Sequence, residues 1–263
     1  LHGEGHSFPT RRSSDLPFCE SGRGVKKVLI TGATSGIGAE LCRQFIKDDY
    51  LVAGVGRRTE RLEKLSEELG KHFYYQALDV TELERAESVY ADLTEKMGGL
   101  DIMILNAGYG NNSTFAPWKV DHTTISVNVM AFAHGCHWAF DYFRNNNGGH
   151  IVGMSSIASH LAHHGATAYT ASKHFISNYM TGYRQKARRV RPEISVTDIR
   201  PGWVESEMTD GIRNMFWVAS TERACRQMIS AIEKKKNRVY ITGRWKLIAI
   251  IADLVPQWVW NRI

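Results

Sequence analysis

Cysteine is scarce in this chain. Four thiols in 263 residues, Cys19, Cys42, Cys136 and Cys225, lie far apart and form no CxxC pair. That distribution argues against a disulfide framework or a thiolate zinc site and for free buried thiols in a reducing compartment. Long apolar runs are lacking too. The most hydrophobic stretch, Trp245–Ile263, is interrupted by Asp253 and Pro256, whereas a spanning helix needs about 20 apolar residues. No Pro/Gly/Ser-rich linker, internal repeat or low-complexity tract divides the body, so one domain is the economical reading. Acids are fewer than bases, 27 against 33, for a formal net charge of +6. No nucleic-acid recognition motif accompanies that charge, so nucleic acid is not an expected partner. Histidines are plentiful, but His134/His137 and His160/His163/His164 have no carboxylate or thiol at ligand spacing, and no metal is expected.

The first residues look foreign to the rest. The stretch HSFPTRRSSDL (His6–Leu16) resembles the conceptual translation of a common sequencing adapter. Residues 1–24 are therefore expected to be a disordered, non-native leader, and no apolar h-region makes them a secretory signal. Their charges cancel, Glu4, Asp15 and Glu20 against Arg11, Arg12 and Arg23, so the net charge belongs to the remaining chain.

From residue 25 the pattern alternates. Short runs rich in Val and Ile predict strands at Lys27–Thr31, Leu51–Val55, His72–Ala77, Asp101–Leu105, Gly149–Ser155, Ile194–Ile199 and Arg238–Thr242. Helical patterns at Ile37–Asp48, Glu60–Leu69, Thr81–Met97, about Val120–Asn145, about Ala168–Arg189 and Thr221–Lys234 separate them. Such alternation predicts an α/β fold, a doubly wound, Rossmann-like parallel sheet of seven strands over residues 25–244. For the apolar tail, 245–263, three readings stand. It packs on the body beside a site mouth or subunit interface, it lies in a membrane surface with the basic run Lys234–Arg238 nearby, or it is ordinary core.

Thr31-Gly32-Ala33-Thr34-Ser35-Gly36-Ile37-Gly38 sets three glycines between a strand and a helix start. Glycines there let the backbone approach a pyrophosphate held at the helix N-terminus. An acid about 20 residues on would hold the ribose of NAD. The chain has Gly56, Arg57 and Arg58 instead. Arg57 is placed to pair with a 2′-phosphate, with Arg58 either adding to that pocket or facing solvent, so NADP(H) is expected over NAD(H). Tyr169 and Lys173, four apart, share a helix face, where an ammonium favours the phenolate. Ser156 ends a predicted strand thirteen residues earlier, and Asn128 sits inside a predicted helix, where Asn is unfavoured without a task.

TGxxxGxG, Asn106-Ala107-Gly108 after the fourth strand, Ser156 ahead of YxxxK, and Pro201-Gly202 after the sixth strand occur in order over residues 25–244. The set resembles the short-chain dehydrogenase/reductase family. Leu105 stands where a second Asn or Ala is usual and Ser206 where Thr is common; the first falls on a strand and the second keeps the hydroxyl, so little is put in doubt. The resemblance implies that Tyr169 is the proton donor or acceptor at the substrate oxygen. Lys173 would lower its pKa and bind the nicotinamide ribose, Ser156 would polarise the carbonyl, and Asn128 would support a water. It further implies Gly32, Thr34, Ser35, Gly36, Ile37 and Gly38 at the pyrophosphate, and Asp79 and Val80 at the adenine. Asn106, Ala107 and Gly108 would line its ribose, with Pro201, Gly202, Val204 and Ser206 at the nicotinamide. A homodimer or tetramer through the helices around Asn128 and Tyr169 is likewise implied.

The substrate loop is expected to include Trp203 and Glu207–Phe216, with His160–His164 opposite. Met208, Met215, Phe216 and Trp217 point to a hydrophobic carbonyl or alcohol substrate. The expected protein is thus a cytoplasmic NADP(H)-dependent carbonyl/alcohol oxidoreductase, with peripheral membrane contact through 245–263 as one reading of the tail. The alternatives are a non-catalytic NADP-binding regulator and an NAD-dependent dehydrogenase.

Overall fold

In a computed structural model, residues 24–210, 212, 215–260 and 262 are described; apart from Gly24, the expected leader lies outside them. Seven strands form one sheet: β1 (Lys27–Thr31), β2 (Leu51–Gly56), β3 (Phe73–Ala77), β4 (Ile102–Leu105), β5 (Gly149–Met154), β6 (Ile194–Pro201) and β7 (Arg238–Ile241). Their order is β3-β2-β1-β4-β5-β6-β7 and every pairing is parallel. Alternate strand residues feed two cores. Val28, Ile30, Ile102 and Ile104 pack with α1 (Gly36–Lys47), α2 (Thr59–Leu69) and α7 (Thr221–Glu233) on one face. Leu29, Met103 and Leu105 pack with α3 (Leu83–Lys96), α5 (Phe132–Asn145) and α6 (Thr167–Ala187) on the other. This is the doubly wound, Rossmann-like fold that alternating strand and helix patterns predict. The strand order reverses between β1 and β4, and a crevice at their carboxyl ends is where such sheets bind ligands.

One predicted helix is divided. The pattern around Val120–Asn145 becomes α4 (Trp118–Ile125), a π-helical segment Ser126–Ala131, and α5. Asn128 lies in the π segment, fully buried, and its amide finds partners outside the helix. A wider turn re-aims the side chains it carries, which periodicity alone does not reveal.

The tail forms α8 (Trp245–Leu254). Its inner face buries Trp245 and Ala249 against Ile157, Trp203 and Tyr240. Its outer face leaves Leu247, Ile250, Ile251 and Leu254 exposed. Among the described residues no helix is long and apolar enough to cross a membrane. The basic run leads into β7, which Arg238 opens, whereas α8 follows the far end of that strand.

Candidate active site

The turn from β1 into α1 is tightly packed. A Cβ on Gly38 would stand 2.1 Å from the Gly32 carbonyl oxygen, so only glycine permits this approach. Thr31 Oγ1 accepts from the backbone N–H of Asn106 and of Ala107, both at 3.0 Å. Asn106 Nδ2 donates back to the Thr31 and Gly32 carbonyls at 3.0 and 3.3 Å. Asn106 therefore ties the glycine-rich turn to the end of β4, and its amide is spent on backbone.

The end of β2, where no acid stands, is crowded. A Cβ on Gly56 would meet Thr34 Cγ2 at 2.6 Å, leaving no room for a carboxylate side chain while Thr34 stays in place. The two arginines that follow part company. Arg57 is 66% exposed and lies 3.8 Å from Asp79. Arg58 turns onto the glycine-rich segment, donating to Thr34 Oγ1 at 3.0 and 3.2 Å and to Ser35 Oγ at 2.6 Å. Asp79 is otherwise engaged with the Thr81 N–H and hydroxyl, at 3.0 and 2.8 Å.

At the other end of the crevice, Ser156 ends the β5 extension and caps a short 3₁₀ turn, Ile157–His160. Its Oγ accepts from Ala158 N at 3.1 Å and donates to the Pro201 carbonyl at 3.4 Å. The neighbouring Ser155 is different: its hydroxyl donates to the buried Asp198. Tyr169, near the start of α6, is half-buried and borders the cleft. Burial raises its phenol pKa, and the Ser156 hydroxyl pulls it back down. Lys173, one helical turn on, is buried with Nζ 5.5 Å from the Tyr169 ring centre. It donates to the Met154 carbonyl at 3.0 Å. Burial lowers its pKa to about 8, and the Asp198 carboxylate opposes that fall.

Asn128 stands behind the cleft. Its Oδ1 accepts from Tyr109 N at 2.8 Å, and its Nδ2 donates to Tyr109 O at 2.8 Å and Ser172 Oγ at 2.9 Å. The π segment thus fixes the loop after β4 to helix α6. The remaining expected residues converge on one cleft of about 810 Å³, from Gly32–Gly38 and Arg57–Arg58 through Asp79, Val80 and Asn106–Gly108 to Ser156, Tyr169, Lys173, Pro201, Gly202, Val204 and Ser206. Of the expected substrate-loop residues, Trp203, Glu207, Met208, Thr209, Ile212 and Phe216 line it, with Leu161, Ala162 and His163 from the segment expected opposite; Met215 and the expected pocket residue Trp217 are not in the lining, and Gly211, Arg213 and Asn214 lie outside the described residues. Among the described residues, no three His, Cys, Asp or Glu side chains gather to hold a metal.

Comparison with known proteins gives the family. The sequence model described as short chain dehydrogenase matches residues 26–217. The chain belongs to the short-chain dehydrogenase family. An uncharacterised oxidoreductase of Mycobacterium tuberculosis is 31% identical over 243 residues, covering 89% of this chain and 90% of that protein. The serine 3-dehydrogenase of Agrobacterium fabrum is 34% identical over 185 residues, 69% of this chain and 73% of that one. The closed form of serine dehydrogenase complexed with NADP+ superposes with a TM-score of 0.71 at 28% identity, covering 78% of this chain and 88% of the other. The chain is an oxidoreductase of this family.

This short-chain dehydrogenase also carries polar groups beneath the site that motif reading passes over. Asp198 and Arg200 lie on β6, almost fully buried and paired at 2.8 Å. Ser155 and Ser177 donate to the Asp198 carboxylate, Ser177 at 2.8 Å. Arg200 donates to His160 and, at 3.2 Å, to Tyr240. A guanidinium has no acceptor, so the facing His160 Nε2 is the bare nitrogen and Nδ1–H donates to Asp253 of α8 at 2.6 Å. One signal was available. Two charges inside the apolar run ISVTDIRP are an anomaly that a buried strand tolerates only when they are paired.

Proposed function

We propose that the chain is an NADP(H)-dependent oxidoreductase that interconverts a carbonyl and a secondary alcohol on a hydrophobic substrate. Tyr169, bordering an apolar cleft with Ser156 and buried Lys173 beside it, carries this reading. The residues fit a phosphorylated dinucleotide. The glycine turn leaves a cradle that a side chain would fill, and Arg58 with Thr34 and Ser35 gathers donors where a 2′-phosphate would sit. The NADP+ bound by the serine dehydrogenase of similar fold supports the same cofactor. When bound, the nicotinamide would supply or accept the hydride.

The protein's own part is proton delivery and positioning. In reduction Tyr169 gives its phenolic proton to the substrate oxygen, and in oxidation the phenolate takes it back. Lys173 in its charged form stabilises that phenolate. The Ser156 hydroxyl holds the same oxygen and polarises the carbonyl. The cleft walls include Trp203, Met208, Phe216, Trp245 and Ile248. Such walls favour a medium or long aliphatic, lipid-like or steroid-like carbonyl.

The test is a panel of aliphatic ketones, steroid ketones and 3-oxo acids, each assayed with NADPH and with NADH. The expected outcome is turnover of the hydrophobic ketones with NADPH, and a loss of about 100- to 10,000-fold in Tyr169→Phe. An unchanged rate in Tyr169→Phe overturns the assignment. A preference for 3-oxo acids overturns the substrate class and leaves the chemistry. The outer face of α8 supports peripheral membrane contact in a cytoplasmic setting, checked by vesicle co-sedimentation with and without residues 245–263. A homodimer or tetramer through α5 and α6 is checked by light scattering.

A further inference from the structure

Glu207 belongs to the loop that leaves the end of β6, and it crosses the crevice to the opposite wall. Its carboxylate is held between two guanidinium groups, Arg58 at 2.8 Å and Arg61 in closer contact. Arg58 is the same side chain that rests on Thr34 Oγ1 and Ser35 Oγ, so one guanidinium serves both the glycine-rich turn and the loop. The hydrogen bonds from Arg58 and Arg61 keep the Glu207 carboxyl at about 2, an anion throughout the neutral range.

The described start of the loop is held in place. Its base is pinned, with Val204 bridged to Ala219, Glu205 N donating to Ala219 O and Ala219 N to Trp203 O, both at 3.0 Å. Its tip is stiffened where Thr209 Oγ1 accepts from Ser206 N and donates to Val204 O, at 3.0 and 2.9 Å. Ser206 lies directly over the glycine-rich turn, its Cβ 3.2 Å from where a Gly36 Cβ would stand. Glu207 and Ser206 therefore hold the loop down across the line between the two ends of the cleft.

We infer that Glu207 is a latch displaced by the cofactor: its carboxylate and the 2′-phosphate of NADP(H) compete for Arg58, and the phosphate wins and frees Glu207. A phosphate brings more charge and more acceptor oxygens to a guanidinium than a carboxylate does. A dinucleotide without the 2′-phosphate has nothing to exchange for Glu207, so it binds with the latch in place. The inference rests on the NADP(H) reading and deepens it: the arginines attract the phosphate, and displacing Glu207 draws on that attraction and ties binding to release of the carboxylate.

The experiment measures dissociation constants for NADPH, NADH and 2′,5′-ADP by fluorescence and calorimetry on the wild-type chain, on Glu207→Gln and on Glu205→Gln. Glu207→Gln should bind NADPH and 2′,5′-ADP about 3- to 10-fold more tightly, with NADH changed less than about twofold and Glu205→Gln like wild type. The gain should shrink as salt rises, because half-exposed charges are screened. An equal change for NADPH and NADH, a loss of NADPH affinity, or no change overturns the latch. A wild-type chain that binds no NADPH overturns the cofactor reading itself, and the latch with it. NADPH binding without the Glu207→Gln gain overturns the latch alone.

Discussion

At the glycine-rich end of the cleft, Arg57, Arg58, Arg61, Asp79 and Glu207 put five charges within reach of one another, all partly exposed. Elsewhere the same cleft is lined by Trp203, Met208, Phe216, Trp245 and Ile248 alongside the polar Asn111, Asn112 and His163, and Lys173 beside Tyr169 is buried. On the proposed function, the first end would select by charge, in water, over a few ångströms, and the second by shape and by exclusion of water. Charges in water are screened and exchangeable, which suits a group that must bind and leave. A buried lysine is neither, and its protonation answers to burial and to the one carboxylate beneath it.

Separating the two ends by mutation sharpens that contrast. Among variants that change binding alone, the largest effect is expected at the charged end. Arg58→Ala should raise the NADPH dissociation constant about 10- to 100-fold, the worth of hydrogen bonds to a charged group, and leave NADH within about twofold. Arg57→Ala should do less, because Arg57 is 66% exposed and faces Asp79. A reversed ranking would move the phosphate site to Arg57.

The apolar end should respond without the charged one. Trp245 comes from α8, beyond the matched family segment, and packs on Phe216 and Trp217 at ring distances of 5.1 and 5.7 Å. Trp245→Ala should raise KM for a hydrophobic ketone about 5- to 20-fold, as lost apolar contact predicts, with NADPH affinity unchanged. Trp245→Phe should fall between, and thermal unfolding separates either effect from a damaged fold.

The smallest expected effect concerns pH. Lys173 must be charged to stabilise the phenolate, so NADPH-dependent reduction should decline as pH rises through about 8. Asp198 raises that pKa against the dominant effect of burial. In Asp198→Asn the carboxylate is gone, the lysine loses its proton more readily, and the alkaline limb should move to lower pH. A limb that stays put would break the link between the buried pair and the reacting groups.

Much of this was legible from residue order. Gly32, Gly36 and Gly38, the YxxxK pair and Pro201-Gly202 are local patterns, and the cleft gathers them because a parallel sheet brings the carboxyl ends of its strands to one edge. Arg57 and Arg58 were legible as a pair; residue order gave the phosphate to Arg57 first, whereas it is Arg58 that turns onto Thr34 and Ser35, since adjacent side chains diverge according to what lies above each. Asn128 was marked as anomalous in a helix, yet its partners, Tyr109 and Ser172, lie 19 and 44 residues away. The apolar tail was visible, while which of its faces packs on the body was not, because its partners Ile157, Trp203 and Tyr240 come from other elements.

The sequence by itself determined the strand and helix alternation, the glycine cradle, the absence of an acid after β2, and the Tyr169–Lys173 spacing. Each depends on residues close enough for backbone geometry alone to relate them. Only the tertiary structure decided that Thr34 bars a side chain at position 56, that Glu207 reaches Arg58 across 149 residues of chain, and that Asp198 lies under Lys173. Those relations are set by how the elements pack, and packing answers to the whole core and not to any one stretch of it.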